Sequence, residues 1–151
     1  MSMFNLFKKP HVIEDAFFGK LRYIGSKDAS KGYFEGKGFF MPTNNEIEYL
    51  IEADITGPTD RHRIFYQELQ DNFKDYIERI RPLIEDEFRN WKEDFRIEDF
   101  SKEFTLVCLT IPRPGKTPLT WDMAFTTIHD ANHHVTIDFI GNNPDGILID
   151  G

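Results

Sequence analysis

Three histidines and a carboxylate fall within six residues, at His129, Asp130, His133 and His134. Imidazoles and a carboxylate so close in sequence are the groups that ligate zinc or relay protons near neutral pH. Their spacing limits what they can do together. The segment reads as the loop of a hairpin, so His133 and His134 point to opposite faces of a strand. At most two ligands converge there, for instance His129 with one of the pair. A zinc site needs three or more protein ligands, and the third would have to come from elsewhere, such as His11 or His62. One reading of the chain is therefore a small metal-dependent hydrolase built on His129, Asp130, His133 and His134. The plainer reading is a hairpin tipped with polar residues.

The remaining catalytic signatures fail on spacing. Gly115-Lys116-Thr117 has the ending of a phosphate-binding loop, but Thr110 stands where the first glycine is required and no helix follows. The run Pro112–Pro118 reads instead as a stiff basic loop, either a contact loop or a simple strand connector. Cys108, the single cysteine, allows no internal disulfide and lies in an apolar strand pattern, where a thiol serves as a small buried hydrophobe. No Ser-His-Asp arrangement, dinucleotide fingerprint or paired-carboxylate spacing is legible, and no cofactor is implied.

Charge offers a different kind of chemistry. The net charge of −8 is distributed unevenly: residues 1–40 carry seven Lys/Arg and four Asp/Glu, whereas residues 41–100 carry eight and sixteen. That acidic middle repels nucleic acid and anionic membrane and favours a basic partner. Its densest part is Glu85-Asp86-Glu87, Glu93-Asp94 and Glu98-Asp99, interleaved with Trp91, Phe95 and Phe100. Carboxylates around aromatic anchors are the composition of a hot spot for a basic protein. Glu85, Asp86, Glu87, Trp91, Glu93 and Asp94 are thus the candidate partner-binding residues. The alternative is a solvated helix face whose aromatics, Trp91 included, belong to the core along with Trp121.

The elements that must position these groups follow from periodicity. Ala16–Ile24 and Tyr33–Met41 read as strands, the second interrupted by Gly36 and Gly38 where another group lies close. In Glu46–Ile55, Ile47, Tyr49, Ile51, Ala53 and Ile55 share one face while Glu46, Glu48, Glu52 and Asp54 share the other. From Gly57-Pro58-Thr59 the period changes to the helical one, with Phe65, Leu69, Phe73, Tyr76 or Ile77, Ile80, Ile84, Phe88 and Trp91 as its stripe. Pro82 predicts a break near Arg81, giving helices over about 59–80 and 82–94. Strands return at Phe104–Ile111, apolar on both faces and so central, then at Leu119–Ile128, His134–Ile140 and Ile147–Asp150. Asn142–Gly146 reads as the tight turn before the last strand. The expectation is one α+β domain over residues 1–151, with antiparallel β-meanders packed together before and after a kinked helical pair that lies on the sheet.

Gly19-Lys20-Leu21-Arg22-Tyr23, Tyr33-Phe34-Glu35-Gly36-Lys37, the Glu46–Ile55 strand, Gly57-Pro58-Thr59, a helix ending near Trp91, Trp121-Asp122-Met123 and Ile149-Asp150-Gly151 form a combined pattern. It resembles a loose group of small bacterial proteins of unknown function, some of them immunity or interaction modules. The resemblance implies a single α+β domain and a binding role, and carries over no catalytic residue. The opening residues contain no apolar core long enough for a signal peptide, and no segment approaches a membrane span, so a cytoplasmic protein is expected. The expected function is a non-enzymatic protein-binding module of the immunity type, using its acidic surface against a basic partner. A homo-oligomer joined through a sheet edge or helix face is a third reading.

Overall fold

The computed structural model describes residues 10–150. Gly151 and the N-terminal lead, on which the signal-peptide expectation rests, lie outside the described residues. Alternation of apolar and polar residues produces strands β1 (Val12–Asp15), β2 (Gly19–Ile24), β3 (Tyr33–Phe40) and β4 (Asn45–Glu52). Helices α1 (Asp60–Asp71), α2 (Phe73–Phe88) and α3 (Phe100–Glu103) follow, then β5 (Phe104–Ile111), β6 (Thr120–Thr127), β7 (Asp130–Ile140) and β8 (Asn143–Asp150). The eight strands lie side by side in chain order. Neighbours are antiparallel except β4 and β5, which pair in parallel from Glu48↔Cys108 to Ile51↔Ile111. A parallel neighbour demands a crossover, and the three helices fill it. The fold is therefore α+β with a mixed sheet. The expected all-antiparallel arrangement of two packed layers is corrected: the two halves join edge to edge. Alternation within β4 specifies which face is buried but not which strand lies alongside.

One face of the sheet is buried under the helices. Phe34, Ile47, Tyr49, Ile51, Leu109 and Ile137 point into this core, each at most 2% exposed. The helices answer with Tyr66, Leu69, Ile77, Ile80, Ile84 and Phe88. Trp121 anchors the far half, stacked on Phe139 at 4.2 Å and donating its indole N–H to Gly141 O at 2.8 Å. Phe65 and Tyr76 meet Trp121 edge to face at 5.1 and 5.4 Å, which seats both long helices over β6 and β7. The opposite face, with Glu46 and Glu48, stays wet.

The helix break falls at Asn72, not at Arg81. Asn72 leaves the helical region at φ −110° and ψ 14°, and its side-chain amide donates to Glu68 O at 2.8 Å. Such side-chain-to-backbone bonding is why asparagine interrupts helices. Pro82 sits inside an unbroken α2. Both Pro82 and Glu78, whose carbonyl loses its donor, are on the exposed side, so water can satisfy that carbonyl while the stripe from Ile77 to Phe88 holds the helix together.

Other boundaries also differ, among them the start of β7 at Asp130 rather than His134, which leaves only Ile128 and His129 in the turn. The first predicted strand, Ala16–Ile24, is divided by a turn in which Asp15 Oδ2 accepts the N–H groups of Phe17 and Phe18 at 2.9 and 2.8 Å, and β1 precedes it. The last turn lies at Gly141 and Asn142, with Gly141 at φ +59°. Pro144 is inside β8, an edge strand where a missing N–H is tolerated. Ile55, expected on the buried face, is 52% exposed because β4 has already ended.

Candidate functional site

The five histidines are held in separate places. His129 sits in the tight turn between β6 and β7, against the edge of Phe95 at 4.8 Å, and donates from Nε2 to Glu103 Oε1 at 2.7 Å. His133 pairs through Nδ1 with the carboxylate of Asp130 at 2.7 Å, and His134 lies exposed near Lys37 and Glu48 on the wet face. His11 bonds to Ile55 O at 3.1 Å, and His62 is buried at the start of α1. His129, Asp130, His133 and His134 are thus not brought to one point. Among the described residues no group of three His, Cys, Asp or Glu side chains is placed to hold a metal.

Glu103 does more than hold His129. Its Oε2 accepts the backbone N–H groups of Glu98 and Asp99 at 2.9 and 2.6 Å, so one carboxylate ties the loop after α2 to the β6–β7 turn. Burial alone would raise the Glu103 carboxyl, but these hydrogen bonds and the one from His129 outweigh it and hold it below the usual carboxylate range. Glu103→Gln keeps the shape but replaces a charged acceptor with a neutral amide, which weakens the bonds from the Glu98 and Asp99 N–H groups. We expect a loss of about 1–3 kcal/mol, read as a lower urea midpoint. An unchanged midpoint would show that the carboxylate contributes nothing net.

The basic loop turns inward rather than outward. Arg113 pairs with Asp54, and Lys116 Nζ meets Glu52 Oε1 at 3.1 Å, so the loop closes over the acidic end of β4. Cys108 is half-buried on the wet face, its thiol pushed up by burial and then by Asp122 and Glu48. Nothing about it resembles an activated nucleophile, which requires a lowered pKa.

The acidic segment divides into supports and projections. Glu85 Oε2 accepts Ile97 N–H at 2.9 Å, Asp86 pairs with Arg89 at 3.0 Å, and Glu87 accepts from Asn90 at 3.4 Å. These three residues brace the loop against α2. Trp91, Glu93 and Asp94 project. Trp91 is 51% exposed and rests edge-on against the buried Phe88, ring centres 5.0 Å apart, with Phe95 beside Phe88 at 4.7 Å. The core placement expected for Trp91 is therefore corrected, whereas Trp121, Phe95 and Phe100 are buried. The helix ends at Phe88, so the position three residues on leaves the stripe and its ring turns outward. Among the described residues Glu93 and Asp94 form no ion pair.

A concavity, not evident in the sequence, opens between the helices and the near ends of β3, β4 and β5. It holds about 1360 Å³, with Tyr49, Tyr66, Phe100, Phe104 and Phe125 behind its floor. Tyr49 donates its hydroxyl to Phe18 O, and Tyr66 donates to Phe39 O at 3.1 Å. Burial pushes the Tyr66 hydroxyl up to about 12, so it remains protonated near neutral pH. These rings lie within the core, and the apolar surface open to the concavity comes from Phe17, Phe39, Met41 and the half-buried Phe73. No helix among the described residues is long and apolar enough to cross a membrane. No family model, no curated protein and no solved structure matches this chain.

Proposed function

We propose that the chain is a protein-binding module of the immunity type, non-enzymatic and cytoplasmic, whose acidic surface around Trp91 occupies a basic partner. The observation that carries this reading is the exposed indole of Trp91, raised on the buried Phe88 next to Glu93 and Asp94, which form no ion pair among the described residues. Tryptophan is enriched among the few residues that dominate interface energies. Ordering it on a buried aromatic ring reduces the entropy lost when a partner covers it. The braced loop supplies a rigid frame, and the free carboxylates supply steering and selection for positive charge.

The test is affinity capture from the native host with wild type, Trp91→Ala and the Glu93→Lys/Asp94→Lys pair. A captured protein should be retained at low salt and released at high salt, since the Debye length falls from about 10 Å at 0.1 M to about 3 Å at 1 M. Its measured affinity should fall about 30-fold or more in Trp91→Ala, the scale of a hot-spot residue. Equal affinity of all three proteins for every captured species would remove the reading.

A further inference from the structure

The aromatic cleft opens onto the same loop that presents Trp91. Three hydrogen bonds set this course: Arg89 Nε to Phe95 O at 3.1 Å, Ile97 N–H to Glu85 Oε2 at 2.9 Å, and Arg81 Nη1 to Ile97 O at 3.1 Å. They run residues 95–97 back along α2, against its direction. Glu98 and Asp99 then arrive at the mouth of the cleft. Glu98 also borders a small hollow shared with Glu93 and Asp94, so the two surfaces are continuous through it.

The charge around the mouth selects an occupant. Asp71, Glu78, Glu98 and Asp99 line it, against Lys74 and Arg81, four carboxylates to two cations. An apolar anion is disfavoured by that balance, and a cation is favoured both by the carboxylates and by aromatic faces.

We propose that the cleft is the second half of the partner-binding surface and receives an apolar side chain, flanked by lysine or arginine, from a basic segment of the partner. This rests on the reading of Trp91 as a partner contact. Phe17, Phe39, Met41 and Phe73 would take the apolar side chain and the rim carboxylates its basic neighbours. Trp91 would then contact the partner outside the cleft.

The experiment is an amide-resolved NMR titration of the full chain with acetyl-Lys-Phe-Lys-amide. Acetyl-Lys-Gly-Lys-amide and 3-phenylpropionate serve as controls. Saturable movement of the Gln70 and Ser101 amides, at least about tenfold tighter for the phenylalanine peptide than for either control, is the expected result. Glu78→Lys, an exposed change, should weaken it about tenfold while leaving the melting temperature near that of wild type. Cleft shifts together with the Trp91 indole N–H support both the cleft and the Trp91 reading. Cleft shifts alone support the cleft, and the Trp91 reading then stands or falls on the loss of affinity for the whole partner in Trp91→Ala. Movement of Trp91 alone overturns the cleft proposal and leaves the Trp91 reading standing. Binding of 3-phenylpropionate as tight as that of the peptide overturns it in favour of small apolar acids. Absence of any shift overturns it and counts against both surfaces.

Discussion

Gly38→Ala and Gly36→Ala are each expected to cost about 1–3 kcal/mol, and more when combined, because the added methyl groups overlap buried atoms. A Cβ at Gly38 would lie 2.8 Å from both Cε2 and the hydroxyl oxygen of Tyr49. One at Gly36 would lie 2.6 Å from Leu21 Cδ2 and 3.0 Å from Lys20 O and from Tyr49 Cε1. Tyr49 cannot swing aside cheaply, since it is 2% exposed and its hydroxyl is committed to Phe18 O. The sign of the effect is informative. Both glycines have ordinary negative φ, where alanine normally stabilises by about 0.4–1 kcal/mol through the unfolded chain. Close approach of the Tyr49 ring reverses that sign. Urea unfolding gives the measurement, and a cycle with Tyr49→Leu isolates the cause. Gly38→Ala should cost markedly less in the Tyr49→Leu background, where no ring lies over β3. An unchanged or raised midpoint for Gly38→Ala in the wild-type background would contradict the account.

The same pair of glycines marks how far the sequence could be read. Their interruption of β3 signalled a close neighbour, but the neighbour's identity depends on the register Gly36↔Tyr49, which no local pattern encodes. The core face of β4 was legible because a period of two admits one inward set. Phe104–Ile111 was legible as central because it is apolar on both sides, and it lies between β4 and β6. Pro82 misled because a local rule was outweighed by packing on both sides of it, from Ile77 to Phe88. The parallel pairing of β4 and β5 was invisible, since antiparallel and parallel strands share the same alternation.

The candidate site was legible only as a list of residues. Glu85, Asp86 and Glu87 looked identical in kind to Glu93 and Asp94, yet the first three brace the loop and the last two have no ion-pair partner among the described residues. What separates them is where α2 stops. The pairing of Glu103 with His129 spans 26 positions in sequence and gave no signal at all. The cleft depends on the gap left between two layers of structure, a property of shape rather than of any motif.

His62 makes the second large expected effect, through its place at the start of α1. Its ring is 2% exposed. Nδ1 accepts the Thr59 N–H at 2.9 Å, the return half of a helix capping box, and Nε2 donates to Glu52 O at 2.8 Å. One ring thus satisfies the start of α1 and fastens it to the end of β4. His62→Ala would leave a buried carbonyl and an orphan N–H, at about 1–3 kcal/mol each, so a loss of about 2–6 kcal/mol is expected. His62→Gln retains the return cap and should recover part of it. The pH dependence follows from the same geometry. Burial, and to a lesser extent Arg113 and Arg63, hold the His62 pKa below its ordinary value despite the Glu52 carbonyl. The unfolded chain therefore takes up the proton first as pH falls. The stability contributed by neutral His62 is complete above about pH 6.5 and is lost as pH drops from there through the lower folded-state value. Protonation would also place a second N–H against the Thr59 N–H. Asp122 acts with the opposite sign, because burial raises its carboxyl and acid favours its folded form. Glu103 acts with the same sign as His62, but in the lower carboxylate range. The difference between wild type and His62→Gln, followed from about pH 8 to about pH 5, isolates the imidazole. The gap in melting temperature should be widest at the alkaline end and close toward the acid end. A gap that stays constant across that range would mean that His62 is not held neutral by its burial.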